Sequence, residues 1–104
     1  MKKAIVTGST QGIGKSIGQS LLENGYFVTF NYAHNEQAAQ DLHMDLQEKF
    51  AGQYTIIRAD LSEYDEAKEF AMACKKVNGG KIDVLVLNAA MTSREPFLGK
   101  TGKK

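Results

Sequence analysis

The chain has 104 residues, 42% of them hydrophobic and 24% charged, with a net charge of +1. That is enough for one small domain with a modest core. The near-neutral balance gives no reason to expect nucleic acid or an anionic membrane as partner. The single Cys74 excludes an internal disulfide framework and fits a reducing cytoplasm. Met1-Lys2-Lys3 could open a signal peptide, but the apolar run behind it stops at Thr7-Gly8-Ser9, too short for a leader core. No window approaches a membrane span.

The predicted elements alternate strand and helix. Strand β1 covers about residues 3–7, and Ala4-Ile5-Val6 is its apolar run. It runs into Thr7-Gly8-Ser9-Thr10-Gln11-Gly12-Ile13-Gly14, which opens helix α1 at about 12–23. Ile13, Ile17 and Leu21 form the expected inward stripe of α1, and Asn24-Gly25 is its stop. Gly14 and Gly18 lie one turn apart and give α1 a small-residue face for close packing on a sheet. Strand β2 is Phe27 to Asn31. Helix α2 spans about 35–50, with Ala38, Ala39, Leu42, Leu46 and Phe50 at helical spacing. Strand β3 is Tyr54 to Ala59. Asp60-Leu61-Ser62 follows as a loop, with Ser62 as the expected cap of α3 at about 63–77. Ala67, Phe70, Ala71, Cys74 and Val77 form the expected buried stripe of α3, and Asn78-Gly79-Gly80 ends it. Strand β4 is Ile82 to Leu87, continuous and apolar except for Asp83.

This order predicts an α/β fold of Rossmann type. Strands joined by helices make a parallel sheet with right-handed crossovers. The expected strand order is 3-2-1-4. Helices α1 and α2 should lie on one face and α3 on the other, with ligand beyond the C-terminal strand ends where the order reverses. Residues 1–97 read as one nucleotide-binding half-domain. Residues 98–104, Leu98 followed by the polar, basic run Gly99 to Lys104, read as a mobile tail.

A strand that turns through glycines into a helix is a phosphate-binding arrangement. Gly8 permits a tight turn out of the strand. Gly12, without a Cβ, lets the backbone approach a pyrophosphate, and Gly14 lets the helix pack on the strand. A P-loop fits poorly. Gly14-Lys15-Ser16 is present, but five residues separate Gly8 from Gly14, and Ser9 stands where the first glycine is needed. Gly99-Lys100-Thr101 fails likewise, with Arg94 at that position.

The dinucleotide arrangement fits better, with glycines spaced Gly-x-x-x-Gly-x-Gly. With Thr7 to Gly14, Asn31-Tyr32-Ala33 at the end of β2, Asp60-Leu61 after β3 and Asn88-Ala89-Ala90 after β4, the chain resembles the short-chain dehydrogenase/reductase family over about residues 3–97. Within it, Asn31-Tyr32-Ala33-His34-Asn35-Glu36 points toward the 3-oxoacyl-(acyl carrier protein) reductases. The resemblance implies cofactor contacts at Gly8, Thr10, Gln11, Gly12, Ile13 and Gly14 for the pyrophosphate, and at Asn31, Tyr32 and Ala33 beside the β2 end. It places Asp60 and Leu61 about the adenine, with Asn88 bracing β4 and Ala89 and Ala90 near a ribose. After β4 the family has Asn-Asn-Ala-Gly where this chain has Leu87-Asn88-Ala89-Ala90, and a basic residue often precedes the second glycine where this chain has Gln11.

No carboxylate follows β2 before Glu36. An acid there would grip the ribose 2′-hydroxyl of NAD and repel a 2′-phosphate, so NADP is the expected cofactor, with NAD possible. The family's catalytic Ser and Tyr-x-x-x-Lys have no counterpart in this chain. Tyr64 and Lys68 have the spacing, but at a site the family does not use. No catalytic residue and no metal ligand is assigned; His34 and His43 lack companions, and Cys74 sits on a core stripe. The chain therefore reads as the dinucleotide-binding part of a carbonyl reductase, inactive alone. The alternative is a non-catalytic nucleotide-binding module or relic that needs a partner. The open edge of β4 is the expected surface for self-association.

Overall fold

The computed structural model describes residues 1–88. Its elements run β1 (Lys3–Val6), α1 (Gly12–Glu23), β2 (Phe27–Tyr32), α2 (Glu36–Leu46), β3 (Tyr54–Arg58), α3 (Tyr64–Val77) and β4 (Val84–Val86). The four strands are parallel and ordered β3-β2-β1-β4. Ala89, Ala90 and the tail at 98–104 lie outside the described residues.

The register sorts the side chains between two faces. Ala4, Val28, Tyr54 and Val84 stand side by side, and Val6, Phe30, Ile56 and Val86 form the next row on the same face. That face meets Leu22 of α1 and Leu42 and Leu46 of α2 in the main core. Phe30 and Leu42 are wholly buried, each contributing about 1.5–3 kcal/mol by leaving water. Ile5 faces the other way and joins Ala59, Leu61, Phe70 and Cys74 beneath α3. Helices α1 and α2 therefore share one face and α3 takes the other, as the crossovers require. Burial pushes the Cys74 thiol up to about 11, so it behaves as a small core residue.

Several local expectations are corrected. The inward face of α1 is Gly14, Gly18 and Leu22, with Ile17 and Leu21 packed partly against the core. Ile13 is 74% exposed. The two glycines bring the helix too close for larger residues: a Cβ on Gly18 would lie 2.3 Å from the Phe30 ring. Helix α2 stops at Leu46, after which the backbone turns toward Gly52 at φ +78°, and Phe50 is only half-buried. Ser62 does not cap α3. Its hydroxyl is turned back to Asp60 Oδ1, to which it donates at 2.6 Å, and Glu63, which precedes the helix, makes no side-chain cap bond.

Strand β4 is shorter than its apolar run: only Val84 to Val86 pair with β1, at Ala4 to Val6. Asp83 is turned to β1 instead, its carboxylate accepting from Lys3 N at 2.8 Å. Of the α3 stripe, Phe70 and Cys74 are buried while Ala71 and Val77 are exposed. Helix α3 does not reach across to β4, so Leu85 stays 57% exposed beside Leu87 at 44%. A groove of about 250 Å³ runs between them, lined by Ile5, Phe70, Cys74, Leu85 and Leu87.

Candidate functional site

At the C-terminal edge of the sheet, β1 hands over to α1 through a turn with two left-handed glycines, Gly8 at φ 57° and Gly12 at φ 66°. An L side chain is disfavoured there. Gly14 is fixed for another reason: a Cβ would lie 2.4 Å from Gly8 O and 2.6 Å from Asn88 Nδ2. At Gly12 a Cβ would meet nothing within 4 Å, so that side of the turn is open.

The first turn of α1 has no side-chain cap bond at Gln11 and no acidic residue. Among the described residues, the N–H groups of Gly12, Ile13 and Gly14 have no hydrogen-bond partner, and the helical ladder starts with Lys15 N to Gln11 O at 3.4 Å. Free donors at the positive end of a helix dipole favour an anion. Ile13 is exposed at the rim of this turn, while Thr10 is buried beneath it. Gln11 is exposed, and its Oε1 accepts from Asn35 Nδ2 at 3.1 Å.

The turn is held from both sides. Gly8 N donates to Asn31 Oδ1 at 3.0 Å, and Asn88 Nδ2 donates to Gly8 O at 3.2 Å. Asn88 N also donates to Thr7 Oγ1 at 2.8 Å, which ties the end of β4 to the turn. Ser9, to which the sequence reading gave no role, is wholly buried. Its hydroxyl donates to Val6 O at 2.6 Å and accepts from Asn31 N at 3.0 Å. The signal was a small hydroxyl directly after the turn glycine, where it reaches backbone on either side.

The ends of β2 and β3 form the neighbouring wall. Asn31 is buried and its side chain is spent on backbone groups. Tyr32 and Ala33 are half-buried, and Ala33 O accepts from Arg58 Nε at 2.9 Å. Arg58 also pairs with Glu66 at 2.8 Å. Asp60 Oδ1 accepts from Ser62 N and Oγ, and Asp60 Oδ2 lies 3.3 Å from His34 Nε2. The Ser62 hydroxyl and N–H hold the Asp60 carboxyl below the usual carboxylate range, aided by His34 and Arg58. Leu61 is buried in the α3-side core and anchors this loop. The turn, the β2 end and the Asp60 loop thus line one edge, with anion donors at one end and a carboxylate at the other. No group of three or more metal-ligating side chains occurs among the described residues, and no described helix is long and apolar enough to cross a membrane.

The sequence pattern of the family described as short chain dehydrogenase matches residues 2–103. The 3-oxoacyl-[acyl-carrier-protein] reductase FabG of Staphylococcus aureus (strain Mu50) is 39% identical over 92 residues, which cover 88% of this chain and 36% of the reductase. The chain thus spans little more than a third of that relative. The short-chain dehydrogenase/reductase homolog YusS of Bacillus subtilis (strain 168) is 33% identical over 96 residues, covering 92% of this chain and 86% of YusS. Among solved structures, a putative 3-oxoacyl-reductase from Bacillus thuringiensis superposes with a TM-score of 0.80 at 25% identity, over 91% of this chain and 38% of that one. An alcohol dehydrogenase from Thermococcus sibiricus complexed with 5-hydroxy-NADP gives a TM-score of 0.71 at 25% identity, over 82% of this chain and 35% of that one.

Proposed function

This chain belongs to the short-chain dehydrogenase family, and from that premise we propose that it is the dinucleotide-binding part of an NADP-dependent carbonyl reductase acting on 3-oxoacyl or similar substrates. The observation that carries the reading is the first turn of α1: three N–H groups with no partner among the described residues, beside an open Gly12. The pyrophosphate sits there, with Gly8, Thr10, Gln11, Ile13 and Gly14 around it. Tyr32, Ala33 and the Asp60-Leu61 loop receive the adenosine, with Asn31 behind them. Ala89 and Ala90 belong to the same assignment by resemblance.

Preference for NADP over NAD is supported by the β2 end. No carboxylate stands at Tyr32 or Ala33 to repel a 2′-phosphate, and His34 and the Arg58 guanidinium lie beside that end. The complex of the Thermococcus sibiricus enzyme holds an NADP derivative. Calorimetric titration of the chain with NADPH and NADH tests the assignment. Tighter NADPH binding is expected; tighter NADH binding, or none of either, overturns it.

The family's Ser and Tyr-x-x-x-Lys have no counterpart in these 104 residues, so this stretch by itself is expected to turn over no ketone or 3-oxoacyl thioester, read as NADPH oxidation. A second reading, a nucleotide-binding module completed by a partner, is favoured by YusS, of which this chain covers 86%. The exposed Leu85 of β4 and Leu87 just after it support association with a partner or another copy, and sedimentation that finds only monomer counts against it. The lone buried thiol of Cys74 fits a cytoplasmic setting.

A further inference from the structure

Asn31 is 2% exposed, and its side chain meets backbone groups of the phosphate turn on one side and of the end of β3 on the other. Its Oδ1 accepts from Gly8 N at 3.0 Å, in the phosphate turn. Its Nδ2 donates to Ile57 O and Ala59 O, both at 3.2 Å, where β3 runs into the Asp60 loop. Its own peptide is clamped as well: Asn31 N donates to Ser9 Oγ at 3.0 Å, and Asn31 O accepts from Ser9 N at 2.9 Å.

One planar group with an acceptor on one side and two donors on the other is what this position needs. Aspartate would set an anionic oxygen against two carbonyls. An aliphatic residue would take this partner from Gly8 N, Ile57 O and Ala59 O together, at the cost of the bonds it cannot make. With these bonds made, little of the Asn31 side chain is left for a ligand, so it acts through its neighbours.

Resting on the dinucleotide reading above, we propose that Asn31 is a positioning residue that locks the phosphate turn to the Asp60 loop, so that both ends of a dinucleotide meet preset partners. Strand β2 carries the lock because it lies between β1 and β3, the two strands that lead into these loops. A ligand that spans both loops gains affinity from their fixed spacing, since no ordering is left to be done on binding.

Asn31→Asp tests the lock. A neutral carboxyl accepts from Gly8 N and donates to one of the two carbonyls, whereas the carboxylate repels both. Burial raises the pKa of such a group, so the lock returns on mild acidification. NADPH affinity of the full chain is measured calorimetrically at about pH 5.5 and about pH 8, with circular dichroism confirming the fold. The variant is expected to bind within about threefold of the unmodified chain at the lower pH, and about tenfold or more weakly at the higher one. His34, Arg58, Asp60 and Glu66 surround this end of the sheet in both proteins, so the unmodified chain carries their share of any pH effect.

Asn31→Thr is the second variant. It suits a strand, but its hydroxyl cannot serve both loops, and it is expected to bind weakly at both pH values. A folded Asn31→Asp with full affinity at the higher pH, or a folded Asn31→Thr with full affinity, overturns the proposal. So does loss of folding in both, which makes Asn31 a residue of stability alone. An unmodified chain that binds no NADPH overturns the dinucleotide reading itself, and with it this role for Asn31.

Discussion

The first turns of α1 and α2 are joined by the bond from Asn35 to Gln11, yet they are chemical opposites. Helix α2 is capped, Asn35 Oδ1 accepting from Ala38 N at 3.0 Å, and carries Glu36 in its first turn. Helix α3 carries Asp65 and Glu66 in its own, and Glu66 accepts from Asp60 N at 2.8 Å. Only α1, of the three described helices, begins with neither a side-chain cap nor an acid. The start of α2 has its own cap and the starts of α2 and α3 have their own negative charge; the start of α1 has neither. An uncapped start forgoes about 1 kcal/mol of helix stability, and what it keeps is a set of donors for something outside the chain. The rigid surroundings of that start, Gly14 against Gly8 O and Asn31 and Asn88 on either side, show that its openness is not looseness.

The contrast can be broken most severely at Gly14. Gly14→Val drives a Cβ into Gly8 O and Asn88 Nδ2, and is expected to cost about 3 kcal/mol, read as a lower urea midpoint or outright loss of the folded chain. Gly12→Val meets open space but forces a branched residue to φ 66°. It is expected to cost about 1–2 kcal/mol and to abolish dinucleotide binding, because the side chain fills the room the pyrophosphate needs. A folded variant with unchanged affinity would remove the turn from the site.

Gln11→Asp sharpens the comparison by giving α1 what α2 already has. The carboxylate can cap the helix and raise stability by about 1 kcal/mol. The same charge opposes a phosphate, so NADPH affinity is expected to fall about fivefold. Gain in melting temperature with loss of affinity is the signature; a gain in both would contradict it. Asn35→Ala does the reverse to α2, with an expected loss of about 0.5–1 kcal/mol and little change in affinity.

The smallest effect concerns Asp60. Its folded-state carboxyl is held low, chiefly by the Ser62 hydroxyl and N–H. Its stabilising contribution is therefore complete above the ordinary carboxylate range and is lost as pH falls through the lowered folded value. Ser62→Ala is expected to move the Asp60 titration upward, as followed by carboxyl carbon NMR. An unmoved titration would deny Ser62 that part.

Strand order and the assignment of helices to faces were legible because period and connection length fix them: Ala4 and Val6 face one core and Ile5 the other. The glycine turn was legible because positive φ and close packing leave few alternatives to glycine. What misled was competition between partners that no periodicity encodes. Ser62 looked like a cap, but its hydroxyl is turned back to the Asp60 carboxylate and Glu63 takes the position before the helix. Ile13 continued an apolar stripe, but two glycines draw α1 so close to Phe30 that the inward face turns to Gly14, Gly18 and Leu22. The apolar run at 82–87 was longer than the stretch Val84 to Val86 that pairs with β1. Asn31 was read as a cofactor contact from its place at a strand end; its inward turn depends on the Ile57 and Ala59 carbonyls, which lie far along the chain.

The central claim is that the open start of α1 is the anion site, and amide NMR of the chain titrated with NADPH tests it most directly. The account predicts the largest shifts at the N–H groups of Gly12, Ile13 and Gly14, smaller ones around Asp60, and none at the capped start of α2 beyond Asn35. Shifts centred on the starts of α2 or α3, or an α1 start that does not respond at saturating NADPH, would contradict it.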